Sequence, residues 1–182
     1  MARVDASIQL NDPVRINKGV VYVPKGIEQT LEEFAKTYSK GLEFGMYLKA
    51  EMHYENAAAI ILPGFAFLPK QDDTACFFQG QENPPDESFN ALVHRHPSGI
   101  NRFSGYDWQD IITQADCNIL FTVERGVCDA AIRFRGINND DTLLQCEVVI
   151  YEPDDDPVLK FSKEEVARKV IQNSGDFYGK EF

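Results

Sequence analysis

Residues 91–111 read ALVHRHPSGINRFSGYDWQDI, and the pattern changes character partway along. The apolar run over 89–93 predicts a strand. Pro97 has no N–H to give to a ladder, which suits a strand that stops there. From Asp107 the spacing turns helical, with Trp108, Ile111, Ile112 and Ala115 on one stripe. Ser104 and Asp107 stand at the N-cap and N3 positions of that helix, the spacing of a capping box. His94 and His96 are two apart, so on a strand both rings point to one face and can converge on one ion. Catalytic zinc commonly takes three protein ligands from His, Asp, Glu or Cys and keeps a fourth position for water. Asp107, aimed in a fixed direction by the first helical turn, is the candidate third ligand.

Upstream, short β-like pieces over 6–10 and 20–23 precede a breaker at Pro24–Gly26. Ile27, Leu31, Phe34, Ala35 and Tyr38 then predict a helix ending near Gly41. The period becomes two over 42–50, where Leu42, Phe44, Met46, Leu48 and Ala50 alternate with Glu43, Gly45, Tyr47 and Lys49. That alternation predicts a strand with one buried face, Glu43 starting it on the other face. Strands are expected over 58–62 and 75–78, with a loop over 79–87. After the second helix come β-like runs over 118–123, 128–134 and 143–151, the last two joined by a turn-rich connector over 136–141. The acidic stretch 152–157 reads as a solvated linker. A terminal helix follows Ser162, which forms a capping box with Glu165, and Gly175 is its expected stop. Strands and helices do not alternate regularly, so the expectation is an α+β fold, a curved mixed sheet flanked by helices. Residues 1–182 are expected to form one domain, with 152–182 as acidic linker and helix.

The chain has 182 residues and a formal net charge of −11. That balance is poorly suited to nucleic acid or an anionic membrane, since phosphate binding leans on Lys and Arg. Cys76, Cys117, Cys128 and Cys146 lie in or beside apolar runs with no C-x-x-C pair, and are read as free thiols. No apolar run is long enough to cross a bilayer. A soluble protein of a reducing compartment is expected, cytoplasmic or virus-encoded and acting in host cytoplasm or virion.

The segment resembles the signature of the JAMM (MPN-plus) zinc metallopeptidase family, H-x-H-P-x(6)-S-x-x-D, with every fixed position present. The resemblance implies zinc ligands at His94, His96 and Asp107, one Zn2+ per chain, and a hydrogen-bonding role for Ser104 toward the substrate oxygen. It also implies a glutamate on an upstream strand that follows a helix. Glu43 is the candidate general base, with Glu51 and Glu55 as rivals on the same segment. The implied fold is of JAMM/cytidine-deaminase-like architecture, and the implied activity is hydrolysis of a peptide or isopeptide bond. The implied partner is a protein or peptide, including conjugates of ubiquitin-like modifiers.

Only about a dozen residues separate Asp107 from the next strand, too few for the large insertions of polyubiquitin-specific members. The compact prokaryotic or viral form fits better. HRHPSG also resembles the DNA-repair-associated RadC branch, although the acidic balance argues against a DNA-facing surface. A metal-binding structural or assembly protein that no longer hydrolyses is the other alternative. Arg95 is expected on the opposite face of its strand, without a catalytic role. His53 reads as an ordinary polar-face residue, Trp108 as core, and Phe103 as a candidate lining of a substrate groove.

Overall fold

A computed structural model describes residues 18–39, 42–73, 78–97, 99–111, 114–136 and 141–172. The strand expected over 6–10, most of that over 75–78, Ile112, Cys76 and the stop at Gly175 lie outside the described residues.

Among the described residues, seven strands close on themselves into a mixed sheet. In spatial order they are β1 (Gly19–Pro24), β3 (Ala58–Phe67), β2 (Gly45–His53), β6 (Ala91–Arg95), β7 (Cys117–Thr122), β8 (Gly126–Phe134) and β9 (Thr142–Tyr151). Closure comes from β1, which pairs in parallel with both β3 and β9. The expected mixed, curved sheet is present, and its curvature runs to a complete ring. A second sheet, of three short strands among the described residues, has the order β10 (Val170–Gln172), β4 (Gln71–Asp73), β5 (Phe78–Gly80).

One face of the ring packs helix α1 (Lys25–Phe34), which then winds with wider π spacing over Ala35–Ser39. Ile27, Leu31 and Phe34 are at most 2% exposed and meet Val21, Met46, Ile61, Val93, Ile119 and Ile132 in one core. Full burial of such side chains contributes about 1.5–3 kcal/mol each. Pro24 at the N-cap has no side-chain oxygen to accept from the first helical N–H groups. Asp156 supplies it, accepting from the Gly26 N–H at 2.7 Å. Only a glycine fits there, because a Cβ on Gly26 would collide with the Asp156 carboxylate.

The stretch expected as a solvated linker is therefore tied to α1. Glu152 pairs with Lys25, Asp156 caps the helix, the Leu159 N–H donates to Thr30 Oγ1 at 2.9 Å, and Tyr38 donates to the Phe161 carbonyl. Helix α2 (Lys163–Lys169) follows, and Ser162 Oγ accepts from the Glu165 N–H at 3.1 Å, as its sequence implied. It ends earlier than expected, because residues 170–172 leave it to pair with β4.

The other face of the ring carries the chemistry. Sequence alternation assigned β2 one buried face, but Gly45 through Leu48 are buried on both. Residues 81–90 explain this: Tyr47 packs against Leu92, Phe67 and Phe89, while Lys49 reaches over the Phe89 ring and lies 3.5 Å from Asp86. Strand β6, between β2 and β7, is buried from end to end.

Candidate metal centre

His94 and His96 sit where β6 runs out, facing away from α1. Asp107 reaches them from the helix that begins after Ser104. The capping box there is reciprocal: the Asp107 N–H donates to Ser104 Oγ at 3.2 Å, and the Asp107 carboxylate accepts the Ser104 N–H. The carboxylate thus has one fixed orientation before any ion arrives. The turn is π-wound over Asp107–Ile111.

The three side chains converge. His94 Nε2 lies 3.1 Å from His96 Nε2 and 3.3 Å from Asp107 Oδ1, and His96 Nε2 lies 3.1 Å from Asp107 Oδ2. All three residues are at most 3% exposed. Tetrahedral zinc with nitrogen and oxygen ligands at about 2.0–2.1 Å separates those ligands by about 3.3–3.4 Å. The donor set and its spacing therefore fit such an ion, and His94, His96 and Asp107 could hold a metal.

Burial lowers the His94 pKa, keeping the ring neutral as a ligand must be. Burial also disfavours charge on His96, but the hydrogen bond and charge of Asp107 outweigh it and raise its pKa. Burial would raise the Asp107 pKa, yet the hydrogen bonds from His94 and His96 and the Ser104 N–H hold it far below the ordinary carboxylate range.

Glu43 lies two residues before β2 begins. In the β2–β6 register Gly45 faces His94, and the Arg95 N–H donates to the Phe44 carbonyl at 2.8 Å, so the pairing continues past the strand end. Glu43 then falls opposite His96, on the face that carries the two imidazoles. It is 5% exposed, and its pKa is raised from 4.5 to about 7. Burial is the main cause; the charge of Asp107 adds to it, while those of His96 and Arg95 oppose it. Of the rivals, Glu51 is exposed and about 26 Å along the same segment at ~3.3 Å per residue. Glu55 is exposed in the turn Tyr54–Asn56 beyond it. The structure brings neither to the cluster. His53 closes the far end of β2, paired with Ala58.

Arg95 does face away from the imidazoles, as its alternation implies, but it is not idle. Its guanidinium donates to the Leu42 carbonyl while its N–H holds Phe44, so it brackets Glu43 from both sides. Phe103 differs from its expectation as a groove lining. At 8% exposed, it packs 5.7 Å from the His94 ring and 5.6 Å from Trp108, supporting the ligand from beneath. Two supporting residues have no sequence signal. Asp129 of β8 accepts from the Phe103 N–H at 3.4 Å and from Gln145 at 3.1 Å. Gln71 grips the backbone of Gly45.

Among the described residues no helix is long and apolar enough to cross a membrane. Cys117, Cys128 and Cys146 are free thiols.

No family model matches the chain, and no curated protein matches it. Among solved structures, a JAB1/MPN domain protein from Archaeoglobus fulgidus is similar at 14% identity, the match covering 74% of this chain and 97% of that one with a TM-score of 0.39.

Proposed function

We propose that this chain is a zinc-dependent peptidase or isopeptidase of the JAMM type. The observation that carries the reading is the convergence of His94, His96 and Asp107 in ligand geometry with a buried carboxylate, Glu43, opposite His96. Zinc held by those three supplies Lewis acidity, polarising a carbonyl and lowering the pKa of water.

The chain's own residues do the rest. Glu43 accepts a proton from the attacking water at a carboxylate oxygen and gives it to the departing amine nitrogen. Burial keeps the Glu43 carboxylate basic enough to take that proton and hand it on. Ser104 Oγ already accepts from the Asp107 N–H, which leaves its hydroxyl proton to donate to the carbonyl oxygen as charge develops there. Ser104 is exposed, so an extended substrate can reach it. The substrate is a protein or peptide, with a conjugate of a ubiquitin-like modifier as the isopeptide case. Asp107 and Ser104 are each tied to the other, so ligand and hydrogen-bond donor move as one body.

The test is metal content followed by cleavage. Purified protein should hold one zinc per chain at neutral pH, lost in His94→Ala and Asp107→Ala. With zinc in excess, Glu43→Gln should still take up the metal but lower cleavage about 10²–10⁴-fold across a panel of peptides and isopeptide-linked conjugates. Protein that takes up no zinc sinks the reading. Zinc uptake with no cleavage anywhere in the panel would instead favour a metal-holding assembly role.

A further inference from the structure

We infer that Gln71 is a positioning residue for Glu43, its buried carboxamide standing in for a peptide group and fixing the backbone that sets Glu43 opposite His96. The catalytic consequence rests on the function proposed above; the clamp itself does not.

On one flank, the segment leading into β2 is held by β6, through the Phe44 carbonyl and the pairing of Gly45 with His94. The other flank belongs to β3, whose register runs Leu48↔Ala66 and Tyr47↔Phe67. Continued by two residues, that register brings Pro69 across from Gly45. Proline has no N–H, so it cannot complete the ladder. The Gly45 carbonyl would be left without a donor inside the protein, a costly position for a backbone group.

Gln71 fills that place. Its Oε1 accepts the Gly45 N–H at 2.7 Å, and its Nε2 donates to the Gly45 carbonyl at 3.0 Å. One side-chain amide thus provides both halves of a peptide pair. The side chain is 0% exposed, so water does not compete for either bond. Its own backbone is anchored on both sides, Gln71 pairing with Gly80 of β5 and with Val170 of β10. Through Gln71 the second sheet therefore reaches the backbone beside the metal centre. Gly45 contributes no side chain opposite His94, and Glu43 is two residues away. If Gly45 shifts, Glu43 shifts with it, while His94, His96 and Asp107 stay on β6 and the capped helix.

The residue type is specific. Glutamate keeps the acceptor and, once ionised, loses the donor. Methionine keeps the volume and loses both. The test uses the full chain carrying Gln71→Met or Gln71→Glu, the second retaining one bond should the first fail to fold. Hydrogen exchange of the Gly45 amide should speed up about tenfold or more in Gln71→Met, with Ile119 in β7 unchanged. Zinc content should match the parent. On a fluorogenic isopeptide-linked peptide that the parent cleaves, kcat should fall about tenfold with KM within about threefold. The same substitution on a Glu43→Gln background should lower residual turnover no further, because it acts through Glu43. Unchanged Gly45 exchange overturns the clamp, and an equal loss on the Glu43→Gln background overturns its action through Glu43. A parent that binds no zinc or cleaves nothing sinks the proposed function instead. The clamp is then decided by Gly45 exchange and by the place of Glu43 in a crystal of Gln71→Met.

Discussion

Replacing Glu43 by Gln should make the metal-free protein more stable above neutral pH, and the size of the gain follows from the site. The folded protein raises the Glu43 pKa from 4.5 to about 7, mainly by burial. Below the unfolded value the carboxyl is protonated in both states and costs nothing. As pH rises from 4.5 to about 7, the unfolded chain gives up the proton while the folded one keeps it, so stability falls. Above about 7 the penalty is complete. At roughly 1.36 kcal/mol per pKa unit the interval bounds it at about 3 kcal/mol, and relaxation around the carboxylate brings the expectation to about 2 kcal/mol. Glutamine has the same shape and no charge, so it escapes the penalty. Urea unfolding of chelator-treated protein at pH 8 and pH 5 measures this. Glu43→Gln should gain about 2 kcal/mol at pH 8 and under about 1 kcal/mol at pH 5. An equal gain at both pH values would mean that glutamine merely packs better. A loss at pH 8 would mean that Arg95 and His96 hold the carboxylate favourably, and the burial argument would fail.

Asp107→Asn should abolish zinc retention on gel filtration and lower the unfolding midpoint at neutral pH, since the amide keeps an oxygen for the Ser104 N–H but loses the charge that His94 and His96 contact. Ser104→Ala removes the hydroxyl that accepts from Asp107 and should cost about 1 kcal/mol of stability in urea, with reduced cleavage and retained zinc. Zinc retention should fall as pH drops, because the Asp107-assisted rise in the His96 pKa makes protons compete earlier for that ligand; dialysis at pH 8 and pH 5.5 followed by metal analysis checks it. Asp156→Ala should destabilise by about 1–2 kcal/mol, more than an exposed carboxylate warrants, because it caps α1 across the fold.

What the sequence made legible is what local geometry writes into it. The His94–His96 pair needs only strand alternation, and the Ser104–Asp107 pair only the first turn of one helix. Both emerge in the structure with the spacing that the pattern implied. Glu43 was separable from Glu51 and Glu55 only by its place before β2, and the β6 register then put it opposite His96. Contacts far apart in sequence left no such trace. Closure of the ring depends on β1 meeting β9, which no periodicity encodes. Asp156 looked like one charge among several in an acidic stretch, yet it caps a helix 130 residues away. Gln71 follows Pro69 in an unpatterned connector, and its function appears only once Gly45 is beside it. Phe103 has the same composition signal as a groove residue, and only burial shows that it supports His94.

The charges around His94 explain why ion and base should depend on each other. Two carboxylates, Asp107 and Glu43, face one dry site whose His94 is held neutral. Asp107 is ionised by its hydrogen bonds, and its charge helps push Glu43 toward its proton. A dication held by His94, His96 and Asp107 would reverse that balance, since each carboxylate charge would then favour it. Ionising Glu43 must tighten the ion, and binding the ion must expel the Glu43 proton. Glu43→Gln removes half of this coupling without touching a ligand. It should therefore weaken zinc binding by about 10–100-fold, the usual effect of losing a group behind the ligands, while stabilising the metal-free chain. Competition with a chromophoric chelator at pH 8 reads the affinity, and proton release on zinc addition should fall in the same variant. Affinity and proton release both unchanged would show that Glu43 stands too far from the ion for its charge to be felt, and a general base at that distance could not reach the water.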